Sequence, residues 1–331
     1  MVGTSQAAVS SVMAMNRVQF QLGLSMAEFL ERYGTEVQCR QALEARWPQG
    51  FCCPCCAGGR CRRFERGAQL YLECTACGHQ ASLIAGTLFD STKLSLRTWF
   101  LAFHLLVLAK TNLSAMELMR HLGVAYSTAW RLKQKVMEAM TQVESDRKLD
   151  ICVQIDDAYL GGERNGGKRG RGAEGKQAIV AAVETDIDHE RPRRMVIEPV
   201  QGFDKASIAG WATRRLEPGC EVRCDGLGGF NAFSDLGHPV TTMAATHRRH
   251  KQDARGAKWV SVVLGKVKRG ISGVYHALKV HKYARRYLGE ACWRFNRRIN
   301  LRSMLPDLLR TVAKLKPHPE HTLRKTHNFA Y

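Results

Sequence analysis

Residues 153–162 run Val153-Gln154-Ile155-Asp156-Asp157-Ala158-Tyr159-Leu160-Gly161-Gly162. With Ile151 just upstream, apolar Ile151, Val153 and Ile155 recur every second residue, the period of a β-strand. The strand predicted over 150–160 therefore carries two adjacent carboxylates, and a Gly/Arg/Lys loop over 161–175 follows it. Short apolar runs over 177–185, 194–199 and 221–224 predict further strands, with a helix over 207–216 between the last two. Three strands, a helix and a strand make an α/β domain. Helical spacing returns over 259–268 and 283–301, and the chain beyond Pro317 reads as loose.

A third carboxylate, Asp225, follows Val222-Arg223-Cys224 and precedes Gly226. Acids at the ends of separate strands could converge on Mg²⁺ or Mn²⁺, hard cations that prefer carboxylate and water oxygens. Such ions activate a water or a 3′-hydroxyl and stabilise the leaving oxygen of phosphoryl transfer. Acids after strands are also ordinary turn residues, so the pair Asp156 and Asp225 leaves both readings open. Asp157 reads as a turn acid that caps the strand end.

Upstream, residues 1–16 are low in charge and expected to be disordered. Phe29, Leu30, Tyr33 and Val37 predict one helix over 26–47, ended by Pro48. A second, buried helix over 96–109 carries Trp99, Phe100, Phe103, Leu106 and Val107 on one side. Residues 111–140 predict two helices around a turn at Gly123, with Ser114 (partner Glu117) and Ser127 as caps. That pattern is a helix-turn-helix or an ordinary helical hairpin. Arg131, Lys133 and Lys135 on the second helix favour DNA.

Of the 12 cysteines, seven lie between Cys52 and Cys77. Cys53 and Cys56, then Cys74 and Cys77, form two C-x-x-C pairs separated by 17 residues, which is zinc-ribbon spacing. Each pair places two thiolates on one tight turn, and two turns close a tetrahedral Zn²⁺ site with no open position, a structural centre. Cys52 with Cys55 has the same spacing and remains an alternative to the first pair. Pro54 and the small Ala57-Gly58 favour Cys53 and Cys56.

The chain carries 50 Lys+Arg against 30 Asp+Glu, a net charge of +20. From His247 to Tyr331 the balance is 21 against 4, so one segment holds most of the excess. A concentrated positive charge points to a polyanion, nucleic acid before anionic membrane. The most apolar stretch, 99–109, is too short to span a bilayer and contains His104. The first residues lack a basic start followed by an apolar run, so no signal peptide is expected. A cytoplasmic, nucleoid-associated protein is expected, and reduced cysteines then read as metal ligands before disulfides. The glycine loop is no P-loop, since it lacks Gly-Lys-Ser/Thr. Its Arg164, Lys168, Arg169 and Arg171 stand beside Asp156 in sequence as candidate phosphate contacts, or form a mobile hairpin tip. Arg285, Arg286, Arg294, Arg297 and Arg298 recur at helical spacing and could follow phosphates, or make a solvated face.

Taken in order, these blocks resemble DDE-type insertion-sequence transposases that carry a zinc ribbon. The likeness runs from Phe51–Cys56 and Cys74–Cys77 through Ala85-Gly86-Thr87-Leu88-Phe89 and Trp99-Phe100 to the block around Asp156. It continues through Cys224-Asp225-Gly226 to Phe230-Asn231, the run 266–276, and Arg294-Phe295-Asn296-Arg297-Arg298. It implies a ribonuclease H-like catalytic domain, a mixed sheet flanked by helices. It makes Asp156 and Asp225 the metal-binding acids. The third metal residue of the family, usually Glu, lies seven positions before a Lys, which maps to Ser261 before Lys268. Two helical turns put both on one face, and Lys268 and Arg269 become backbone contacts.

Ser261 departs from the family pattern, because a neutral hydroxyl is a poor Mg²⁺ ligand beside a carboxylate. Asp253 is a nearby acid at the wrong spacing. An active enzyme and an inactive zinc-containing DNA-binding protein both remain open.

The expected division is a disordered 1–24, helix and ribbon over 25–84, a helical region over 85–147, the catalytic domain over 148–302 and a basic tail over 303–331. The partners implied are double-stranded DNA (element ends and target) and further copies of the chain on DNA, with no membrane.

Overall fold

The computed structural model describes residues 18, 20–44, 47, 50–67, 69–161, 176–243, 258–275 and 280–325. The first helices are α1 (Met26–Tyr33) and α2 (Glu36–Glu44). The single helix expected over 26–47 is interrupted at Gly34-Thr35. Thr35 starts a new helix through a reciprocal cap: its Oγ1 accepts from Gln38 N at 3.3 Å, and Gln38 Oε1 accepts from Thr35 N at 2.9 Å. An antiparallel three-stranded sheet follows, β1 (Cys61–Arg66), β2 (Gln69–Cys74) and β3 (Gln80–Ser82).

Next come α3 (Leu96–Leu108), α4 (Ala115–Leu122) and α5 (Tyr126–Ser145). Ser114 caps α4 by accepting from Glu117 N at 3.0 Å, and Gly123 ends it at φ 63. That left-handed turn suits a residue without Cβ. Ser127 does not cap α5; the helix begins one residue before it, after Ala125, with no side-chain cap. Buried Ala129, Leu132, Val136, Met137 and Met140 form the inward stripe of α5.

The α/β domain is built on β4 (Cys152–Leu160), β5 (Gln177–Thr185), β6 (Pro192–Pro199), β7 (Glu221–Cys224) and β8 (Val240–Thr242). Among the described residues these five strands form one mixed sheet in the order β6-β5-β4-β7-β8. The β4–β5 and β5–β6 pairs are antiparallel; β4–β7 and β7–β8 are parallel. Helix α6 (Lys205–Arg215) makes the crossover to β7, and short α7 (Asn231–Asp235) the one to β8. Helices α8 (Lys258–Val274) and α9 (Val280–Asn296) follow.

Every residue of β5 is buried because both sheet faces are covered. On one face Val153, Ile155, Val180 and Ala182 meet Ile208, Trp211 and Ala212 of α6. On the other, Ala158, Leu160, Ile179, Ala181 and Val183 meet α8 and α9 through Val260, Val263, Leu264 and Leu288. This is the ribonuclease H-like arrangement expected, a mixed sheet flanked by helices.

The basic tail expected over 303–331 carries two helices, the second of them past Pro317 where a loose chain was expected. Helix α10 (Met304–Val312) buries Met304, Leu305, Leu308 and Val312 in the same core as Trp99, Phe100 and Phe103 of α3. Helix α11 (Glu320–Arg324) buries Leu323. The apolar i, i+4, i+8 spacing of Met304, Leu308 and Val312 drives this docking despite the local positive charge.

Candidate metal centres and nucleic-acid surface

Strand β7 pairs with β4 only from Cys152–Glu221 to Gln154–Arg223. Among the described residues the β4–β7 ladder stops at Gln154–Arg223, while β4 itself runs on to Leu160 against β5. Asp156 and Asp157 therefore stand within the strand, not at its end, and Asp225 follows the last residue of β7. One carboxylate oxygen from each of Asp156, Asp157 and Asp225 lies within 4.8 Å of the others. All three residues are half-buried.

Asp157 was expected to be a turn acid that caps the strand end, and it stands mid-strand in β4 instead. Its carboxylate nonetheless offers an oxygen to the same point as those of Asp156 and Asp225. Burial raises the Asp156 carboxyl above its ordinary value, and the charges of Asp157 and Asp225 raise it further. The Lys268 ammonium opposes that rise, so this lysine of α8 acts on the acidic cluster. Three oxygen donors around one point, short of positive charge, suit a hard divalent cation.

Helix α8 is fixed over this face by Gln154. Its Oε1 accepts from Trp259 N at 2.9 Å and Val260 N at 3.3 Å, two residues before Asp156 on the same side of β4. Ser261 follows directly and is exposed. The cluster that forms is Asp156, Asp157 and Asp225; Ser261 offers no carboxylate to it. Asp253 and the loop residues Arg164, Lys168, Arg169 and Arg171 lie outside the described residues.

In the ribbon, Cys53, Cys56, Cys74 and Cys77 converge, and Cys52 and Cys55 are not part of the cluster. Sγ–Sγ separations are 3.7 Å for Cys53–Cys77 and 3.5 Å for Cys56–Cys74. Four thiolates about 2.3 Å from one Zn²⁺ in a tetrahedron stand about 3.8 Å apart, so the cage fits the ion. Backbone N–H groups of Ala76 and Cys77 pull the Cys74 thiol down to about 7, while contacts with the neighbouring thiols push Cys56 and Cys77 up, a crowding of sulfurs that a cation would relieve. A Cβ on Gly58 would stand 3.2 Å from Cys74 Sγ and 3.3 Å from Cys56 Sγ, a tight contact with two of the four sulfurs.

Several residues expected to face DNA turn inward. Lys133 is 1% exposed because it falls within the buried stripe of α5. Its ammonium donates to Leu113 O at 2.6 Å and to Tyr275 Oη, and pairs with Glu290 at 3.8 Å. Lys135 donates to Leu88 O at 3.3 Å over the ring of Trp99. Arg297 binds Glu144 at 2.6 Å and stacks on Trp293. Arg298 lies on Phe295 and donates to Arg193 O at 3.0 Å. Arg286, 1% exposed, reaches Glu138 at 2.8 Å, Gln134 at 2.9 Å and Leu323 O at 2.7 Å. Arg285 also reaches Glu138, at 3.2 Å. Much of the positive run on α9 thus bolts helices together. Arg131 stays half-exposed and pairs with Glu320 at 2.9 Å, and Arg269 is exposed.

Residues 34–80 match the transposase zinc-ribbon domain, and residues 148–296 match the ISXO2-like transposase domain. A curated relative, named as an uncharacterized protein in transposable element ISH50 of Halobacterium salinarum, is 31% identical over 136 residues. That match takes in 39% of this chain and 45% of the relative, so the chain spans under half the relative's length. With the two matches in this order and acids converging past the end of the β4–β7 ladder, the chain carries a transposase zinc ribbon followed by an ISXO2-like transposase domain.

Proposed function

We propose that the protein is a DNA transposase of an insertion sequence, which binds the terminal inverted repeats of its element and performs metal-dependent strand cleavage and strand transfer. The observation that carries this reading is the convergence of Asp156, Asp157 and Asp225 within 4.8 Å past the end of the β4–β7 ladder. These three carboxylates would hold Mg²⁺ or Mn²⁺. When bound, such ions activate an attacking water or 3′-hydroxyl and stabilise the leaving oxygen. Lys268 sets the charge of the cluster and stands ready to receive a phosphate of the substrate strand. Cys53, Cys56, Cys74 and Cys77 would hold a structural Zn²⁺ that keeps the ribbon folded.

Double-stranded DNA is the partner, met through Arg269, Arg131 and the loop cations Arg164, Lys168, Arg169 and Arg171, with the α4–α5 pair as a candidate reading head. Action on paired ends calls for a homo-oligomer on DNA, in the nucleoid. Among the described residues no helix is long and apolar enough to cross a membrane.

A second reading, a DNA-binding protein without cleavage, is favoured by Ser261, which leaves α8 without an acid. Asp157 weighs against it, because it supplies a third carboxylate from β4 itself.

The test is cleavage of a labelled duplex carrying the element's own terminal repeat, with Mg²⁺ or Mn²⁺, for wild type, Asp156→Ala and Ser261→Glu. Cleavage at the repeat boundary by wild type, lost in Asp156→Ala, is the expected result. Binding without cleavage by wild type, with cleavage restored in Ser261→Glu, would establish the second reading.

A further inference from the structure

The opposite end of the same sheet holds a second, chemically different cluster. Cys152 opens β4 and Glu221 opens β7, and the two are direct partners in the parallel ladder. His189 sits in the turn between β5 and β6. One ligand atom from each of Cys152, His189 and Glu221 lies within 4.8 Å of the others. Cys152 Sγ is 3.4 Å from Glu221 Oε2, and His189 Nε2 is 3.9 Å from Glu221 Oε1.

The surroundings orient each donor. Thr185, the antiparallel partner of Cys152, holds His189 Nδ1 at 3.2 Å through its hydroxyl, which leaves Nε2 to face the cluster. Arg223 Nε donates to Glu221 Oε1 at 2.8 Å, which leaves Oε2 beside the cysteine. Trp259 Nε1 donates to His189 O at 3.1 Å and pins the turn from α8. The backbone is strained on both sides: His189 has φ 56, and β-branched Ile151, next to Cys152, has φ 61. Left-handed non-glycine residues are uncommon, and their concentration marks sites that the surrounding structure holds in place.

We propose that Cys152, His189 and Glu221 form a zinc site, separate from the ribbon, that staples the β5–β6 turn to the start of β7. One sulfur, one imidazole and one carboxylate match the ligand preference of Zn²⁺. Tetrahedral coordination sets S–O spacing at about 3.5 Å and N–O spacing at about 3.3 Å. Cys152 stands at that spacing from Glu221 Oε2, while His189 faces Oε1 at 3.9 Å, so the carboxylate and the imidazole must adjust for one oxygen to meet both neighbours. Three protein ligands leave the fourth position to water. Mg²⁺ is disfavoured by the thiolate, so the two ends of the sheet sort their metals by donor chemistry. Asp156 lies four residues further along β4, about 13 Å at the rise of a strand, so the two centres do not share ligands.

The full-length chain, loaded to saturation with cadmium-113, distinguishes the sites by NMR, since a four-thiolate centre resonates far downfield of a one-thiolate centre. Two sulfur-shifted resonances are expected from wild type, apart from the all-oxygen signal of the aspartate centre furthest upfield, and only the one-thiolate resonance is expected to vanish in His189→Ala and in Cys152→Ser. Zinc content by mass spectrometry should fall in parallel from two ions per chain to one. A single sulfur-shifted resonance at saturating cadmium overturns the proposal, and so does a one-thiolate resonance that survives both substitutions. The wild-type spectrum decides by itself if either variant fails to fold.

Discussion

Asp156 of β4 and Asp225 after β7 stand level across the sheet, two residues beyond Gln154–Arg223, the last pair of the parallel ladder. The ladder stops, the backbones part, and both carboxylates gain space to face one another. The carboxylate cluster thus lies where strand lengths differ: β7 ends at Cys224 while β4 continues to Leu160 against β5.

Asp157 belongs to this cluster on geometry. Asp157→Ala should lower divalent-metal affinity about 10- to 100-fold, as losses around metal centres do, and strand cleavage should fall with it. Asp157→Asn should fall as well, since the amide keeps shape but not charge. Wild-type metal affinity in Asp157→Ala would return this residue to the role of a turn acid.

Metal-free stability should carry the sign of the Asp156 shift. Its carboxyl titrates above the ordinary aspartate range in the folded protein, through burial and then through Asp157 and Asp225. Between the unfolded value, about 3.9, and the raised folded value, the folded state binds more protons, so this group's contribution to stability falls as pH rises. Asp156→Asn should therefore raise the metal-free Tm at neutral pH and flatten that part of the profile. Mg²⁺ should stabilise wild type more at neutral than at acidic pH. A lower Tm for Asp156→Asn in metal-free neutral buffer would oppose this account.

The inward arginines and the outward ones should separate in a salt titration. Arg286→Met breaks a buried ion pair with Glu138 and should cost about 3–5 kcal/mol of stability, read by denaturant unfolding. Arg269→Ala, at an exposed site, should leave Tm unchanged and reduce the salt slope of DNA binding by about one. The reverse pattern would place the DNA on α9.

Gly58→Ala should weaken zinc in the ribbon, because the added methyl would press on Cys74 Sγ and Cys56 Sγ. Competition with a chelator is expected to show about 10- to 100-fold weaker retention. Cys52→Ser and Cys55→Ser, outside the cage, should retain zinc like wild type.

The legible parts of this protein were those in which spacing is itself the chemistry. Two C-x-x-C pairs bring four thiols together, and the alternation before Asp156 gives the strand that carries it. Asp157 was read as a turn acid, since alternation along a strand gives no sign that neighbouring carboxylates share a point; only the fold brings its oxygen beside those of Asp156 and Asp225. Lys133 misled through its charge, yet it falls four residues after Ala129 and before Met137 on the apolar stripe of α5. The partners of Arg286 and Arg297 come from α5, at separations of 148 and 153 residues. Helix periodicity gives no access to such pairings. The break at Gly34 was written locally, in the Thr35–Gln38 cap, and was hidden by the apolar spacing that continues through it.

The central claim is that Asp156, Asp157 and Asp225 together bind a divalent cation. Mn²⁺ binding to the full-length chain, followed by the loss of its free-ion electron paramagnetic resonance signal, tests this directly. The account predicts a site in wild type that weakens at least about 10-fold in each single aspartate-to-alanine variant and is unchanged in Ser261→Ala. A site that survives Asp157→Ala and is lost in Ser261→Ala would contradict it.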